Sequence, residues 1–142
     1  MKNRIKNRIE ERIRPLVEAL NDIPYISTFS SCEGHFSLED IDHNDKAYIR
    51  FRLDESRKEE FEILKKNVLI STAEDCWDYS IVFYQRCHFV PYIGINVDYL
   101  LEIEAFSFTF NGKMNDVEKR RVTDDGIIKV TEIIRDYLSR KQ

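Results

Sequence analysis

The stretch Lys46-Ala47-Tyr48-Ile49-Arg50-Phe51-Arg52-Leu53 alternates polar and apolar side chains for eight residues. That period of two predicts a strand with one face in a core and the other in solvent. The period changes at Asp54. Phe61, Leu64 and Val68 then recur at helical spacing, and Asp54 has the short side-chain acceptor that caps a helix N-terminus. A helix over 55–67 follows, with Leu69-Ile70 either closing it or opening another short strand. A half-buried strand feeding an amphipathic helix implies a sheet with helices packed on it.

Outward from this pair, 25–29 reads as a short buried strand and 79–84 as a β-prone apolar segment. Pro91 and Gly94 break up the next stretch. Residues 102–110 alternate again, with Phe106, Phe108 and Phe110 on one face as core, and Asn111-Gly112 marks a turn. Ile5, Ile9, Ile13, Leu16, Val17 and Leu20 predict an amphipathic helix over 3–21. Pro15 inside it means either a kink or a fresh start with the proline in the first turn. Ile127, Val130, Ile134 and Leu138 predict a closing helix over 124–139, capped by Thr123 or Asp124. The expected fold is α/β (α+β): one domain over 1–142, a mixed β-sheet covered by helices, with long N- and C-terminal helices.

The chain has 142 residues, 34% of them charged, and a net charge of −4. That acidity argues against indiscriminate binding to nucleic acid. Lys2, Arg4, Lys6, Arg8, Arg12 and Arg14 nevertheless crowd the first fourteen residues, either as a solvated helix face or as a local phosphate-contacting patch. No segment approaches the roughly 18 apolar residues of a membrane span. Three cysteines without disulfide-framework spacing point to a reducing cytoplasm.

Chemistry concentrates in Thr28-Phe29-Ser30-Ser31-Cys32-Glu33-Gly34-His35, which reads as a loop between the first strand and an acidic run at Glu39, Asp40 and Asp42. Cys32 and His35 are the candidate catalytic residues, since an imidazole three positions away can lower a thiol pKa. Ser30, Ser31, Glu33 and Gly34 are candidate ligand-binding residues, with backbone N–H groups and hydroxyls suited to an anion or nucleotide. Glu33 could hold His35 in one tautomer. Neither a dinucleotide fingerprint nor a P-loop occurs. Cys32-x-x-His35 also has ligand-like spacing, and Cys87-His88, His43 and Cys76 are further donors. A structural zinc site draws on two well-spaced pairs, however, so no residue is assigned to a metal. The plainer expectation is that Cys76 and Cys87 are small buried hydrophobes near Trp77 and Phe89.

The string Ile13-Arg14-Pro15-Leu16, Leu20-Asn21, Pro24-Tyr25 and Thr28 to His35 resembles the N-terminal signature of the wybutosine-synthesis methyltransferase family, which acts in tRNA modification. Val130, Ile133, Ile134 and Arg135 are similar to its closing helix. The likeness covers about residues 9–36. Glu33 stands where that family has serine and His35 where it has arginine. Its tryptophan strand ending in Ser-His is not seen in Lys46–Leu53. The resemblance implies S-adenosylmethionine as cofactor and tRNA as partner, held in part by the basic N-terminal helix. It carries over Ser30, Ser31, Cys32 and Gly34. Three functions therefore stand open: a ligand-binding domain with nucleotide-related chemistry, a non-enzymatic interaction protein, and a Cys/His hydrolase or metal-binding protein.

Overall fold

The structure is a computed structural model and describes residues 9–37, 45–73, 78–105 and 114–140. Four strands form one sheet: β1 (Ile26–Cys32), β2 (Lys46–Leu53), β3 (Tyr79–Val90) and β4 (Gly94–Ala105). Their order across the sheet is β1-β2-β4-β3, and every neighbouring pair is antiparallel. The fold is thus α+β, and the expected mixed sheet is corrected to an antiparallel one. β3 and β4 are joined by a tight turn in which Tyr92 and Gly94 take positive φ. A turn this short can only join antiparallel neighbours.

Three helices accompany the sheet: α1 (Arg14–Asn21), α2 (Lys58–Ala73) and α3 (Asp116–Arg140). Ala47, Ile49, Phe51 and Leu53 of β2, Tyr99, Leu101 and Ile103 of β4, and Tyr79 and Ile81 of β3 are buried on the face beneath them. Phe61 of α2 meets the rings of Phe51, Tyr99 and Phe83 at centroid distances of 5.7, 5.4 and 5.9 Å. Gly126 lets α3 approach the sheet closely, since a Cβ there would come within 2.9 Å of Ile103 Cγ2. The alternate residues Lys46, Tyr48, Arg50, Arg52, Leu100, Glu102, Glu104, Val82 and Tyr84 form the opposite face, and no described helix packs on it.

The long N-terminal helix is corrected. Residues 3–8 of the predicted span lie outside the described residues, and 9–13 are a bend and turn. The helix proper is eight residues long, with Pro15 in its first turn. The fresh start wins because Pro has no N–H to offer a helix interior and fits a first turn. The closing helix is long as expected but begins at Asp116 rather than 124. Asn115 Oδ1 accepts the Glu118 N–H at 2.8 Å and caps it. Thr123 is buried and Asp124 is taken by two arginines, so neither caps. Residues 106–110, with their three phenylalanines, and the Asn111-Gly112 turn lie outside the described residues.

Asp54 caps as its side chain suggests. Its Oδ1 accepts the Ser56 N–H at 3.1 Å and the Ser56 hydroxyl at 2.8 Å, opening a 3₁₀ turn over Glu55–Arg57 before α2. Those hydrogen bonds hold its carboxyl below the usual carboxylate range. A depressed pKa contributes stability above the unfolded value near 4 and loses it as pH falls through the folded value. Asp54→Ala is therefore expected to lower the melting temperature at pH 7 and to lower it less as the pH falls below the usual carboxylate range. An equal effect above and below that range in calorimetry would contradict the cap.

Candidate functional site

Strand β1 carries an irregularity that the sequence pattern conceals. Thr28 pairs with Phe51 and Ser30 with Arg50, so Phe29 is an extra residue with no partner across the ladder. Such a bulge reverses the alternation beyond it. Phe29 and Ser30 both reach the open sheet face, Ser30 opposite Arg50, while Ser31 lies opposite the buried Ile49 and Cys32 opposite Tyr48. Asn21 at the end of α1 pins this point: its Oδ1 accepts the Thr28 N–H at 2.9 Å and its Nδ2 donates to Thr28 Oγ1 at 2.8 Å. The predicted loop is thus mostly strand. Ser30, Ser31 and Cys32 belong to β1, and only Glu33, Gly34 and His35 lie beyond it.

Beyond the strand, Gly34 turns the chain at φ +91°. Arg120 of α3 holds that turn from outside, donating to the carbonyls of Glu33 at 2.7 Å and Gly34 at 2.9 Å. Its guanidinium also pairs with Asp124 at 2.7 Å and lies 5.0 Å above the Phe36 ring. Arg12 bonds the other Asp124 oxygen at 2.6 Å and, through its backbone N–H, Glu33 Oε1 at 2.9 Å. A cavity of about 290 Å³ opens here, lined by Arg12, Glu33, Gly34, His35, Phe36, Ser37, Asp116 and Arg120. Of the sequence candidates, Glu33, Gly34 and His35 face it, whereas Ser30, Ser31 and Cys32 are not among its lining residues.

The partner of His35 is Glu10, not Glu33. Glu10 Oε2 lies 2.6 Å from His35 Nε2, and its Oε1 accepts the Glu33 N–H at 2.9 Å. Cys32 Sγ accepts the Gly34 N–H at 3.4 Å. One donor atom each of Glu10, Cys32 and His35 lie within 4.8 Å of one another. Sequence alone gives Glu10, Arg120 and Asp124 no place at this site, because nothing local announces a contact across 25 or 86 residues. Cys87 and His88 do not join this group. They sit on β3, at the opposite edge of the sheet from β1, where Cys87 is exposed and His88 Nε2 lies 3.3 Å from the Asn96 amide. The expectation of a buried Cys87 is thereby corrected. His43, Cys76, Trp77 and the acidic run at 39–42 lie outside the described residues.

No family model, no curated protein and no solved structure matches this chain. Function must be argued from its own surfaces. The most unusual of these is the open sheet face around the bulge. The Arg52 guanidinium lies 4.6 Å from the Phe29 ring centroid, and the Arg50 guanidinium 5.7 Å from that of Tyr48. Phe29 is 42% exposed and Tyr84 44%. Most described arginines are committed to carboxylates: Arg57 to Glu60, Arg86 to Asp98, Arg120 to Asp124, Arg121 to Asp125 and Arg135 to Asp22. Arg50 and Arg52 have no ion pair or hydrogen bond among the described residues, and the buried Arg50 Nε has no acceptor.

Proposed function

We propose that the protein binds single-stranded nucleic acid, RNA first, across the open sheet face. The observation that carries this is the pair of guanidiniums, Arg50 and Arg52, that have no ion pair or hydrogen bond among the described residues, each over an aromatic ring on a face that no described helix covers. Flat rings and guanidinium planes stack with bases, and free guanidiniums take phosphate. Along this half of the face the charged groups are Arg50, Arg52 and Arg86 against Asp98, which Arg86 already neutralises. Glu102, across the ladder from Tyr48, and Glu104, across from Lys46, share the Lys46 ammonium. A local basic surface on a chain of net charge −4 suits modest, salt-sensitive binding rather than tight non-specific coating.

The resemblance to the wybutosine-synthesis methyltransferases supports an RNA partner, in the cytoplasm, and adds S-adenosylmethionine. The cavity beside Gly34 and His35 offers that cofactor a poor fit. Half of its lining residues are charged, its imidazole is held by Glu10, and its one phenyl ring, Phe36, is buried beneath Arg120. No methyl-transfer step is therefore derived. Among the described residues no helix is long and apolar enough to cross a membrane.

Fluorescence anisotropy with a labelled single-stranded RNA tests the proposal. Wild type is expected to bind with a log–log salt slope of about −0.7 to −1.4, as one or two phosphate contacts on a single strand give. Arg50→Gln with Arg52→Gln should weaken binding at least tenfold. Undiminished affinity in the double variant, or no binding at low salt, would overturn it.

A further inference from the structure

We infer that Glu10, Cys32 and His35 bind one divalent transition-metal cation. The three donors are a carboxylate oxygen, a sulfur and an imidazole nitrogen, brought within 4.8 Å of one another from the segment before α1, the end of β1 and the turn that follows. Mixed sulfur, nitrogen and oxygen ligation is the chemistry of zinc and its neighbours, whereas calcium and magnesium take oxygen alone. Tetrahedral ligands about 2.0–2.3 Å from a zinc ion stand some 3.3–3.5 Å apart. The donors therefore need to draw in slightly around the ion, with the direct Glu10–His35 contact opening to admit it.

The surroundings are those of a supported site. Glu10 is oriented by the Glu33 N–H and Cys32 by the Gly34 N–H, the kind of outer contact that fixes metal ligands. Arg120 holds the two carbonyls of that turn, so its backbone is braced against α3. His35 also lines the polar cavity, which leaves a fourth position open to water or a small anion. An ordinary Glu–His ion pair accounts for two of these residues but not for a thiol in reach of both. A Cys–His nucleophile needs a thiol that substrate can reach, and Cys32 is 9% exposed. A metal ligand has no such requirement. The inference does not rest on nucleic-acid binding: its donors are Glu10, Cys32 and His35, and it uses neither Arg50 nor Arg52.

Cobalt(II) titration of chelator-treated protein tests it, followed by displacement with zinc. The expected result is one equivalent of cobalt with a thiolate-to-cobalt charge-transfer band, lost in Cys32→Ser and retained in Cys87→Ser. His35→Ala and Glu10→Gln should each weaken cobalt at least tenfold. Circular dichroism of each variant separates a lost ligand from a lost fold. Should Cys32→Ser not fold, the more exposed His35 and Glu10 variants decide. Absence of the band in wild type, or a band that survives the Cys32 change or both the other two, would overturn the site. None of these readouts involves RNA, so failure here leaves the sheet-face proposal untouched.

Discussion

Phe51→Ala is expected to destabilise the protein by about 3–5 kcal/mol, the cost of removing a large aromatic from a core that collapses only partly. Phe51 is fully buried at the centre of the sheet. Its ring stacks on Tyr99 at 5.7 Å and takes the edge of Phe61 at 5.7 Å, so one side chain joins β2, β4 and α2. Domains of this kind have only about 5–15 kcal/mol of net stability, so the variant should lie close to unfolding at physiological temperature. Phe51→Leu keeps most of the volume and should cost far less. Urea denaturation followed by circular dichroism measures both. A loss below about 1 kcal/mol for Phe51→Ala would mean that Phe51 is not the centre of the core.

Gly34→Ala should cost roughly 2–5 kcal/mol, from two effects that add. A side chain at φ +91° costs about 1–2 kcal/mol in backbone strain. The added Cβ would also stand 2.6 Å from Phe36 Cζ, and relieving such a contact costs about 1–3 kcal/mol. Phe36 cannot swing away freely, because it is buried and Arg120 covers it. Part of the change should appear as displacement of the turn that carries His35. Cobalt affinity in Gly34→Ala should therefore fall even where the variant remains folded. Gly94 is the control: it too has positive φ, but its Cβ would meet nothing within 4 Å. Gly94→Ala should show the strain without the clash, and an equal loss at both positions would refute the Phe36 contact.

The sequence made the strand–helix pair around Asp54 readable because two periods and a cap coincide there. Phe61, Leu64 and Val68 are all buried as their spacing requires, and α2 runs on to Ala73, so Leu69-Ile70 continue the helix. β3 and β4 run well past their predicted limits. Their outer halves pair only with each other, where neither face is fully buried and period-two alternation weakens. The bulge at Phe29 left no trace in composition, yet it decides which of Ser30, Ser31 and Cys32 reach the open face. The position of the reactive cluster was legible from Cys32, Gly34 and His35. Its chemistry was not, since the decisive partner, Glu10, is 25 residues from His35 and meets it only through the tertiary fold. The arginines of the sheet face were visible merely as the polar half of an alternating strand. Only the structure shows that each of Arg50 and Arg52 lies over a ring and that neither has a carboxylate partner among the described residues.

The most direct test of the central claim is to map single-stranded RNA on the protein by amide chemical shifts. Shifts are expected to concentrate at residues 27–30, 48–52, 98–102 and 84–86, which follow one another across β1, β2, β4 and β3 of the open face. Shifts confined to α2 and α3, or an unchanged spectrum at saturating RNA and low salt, would contradict it.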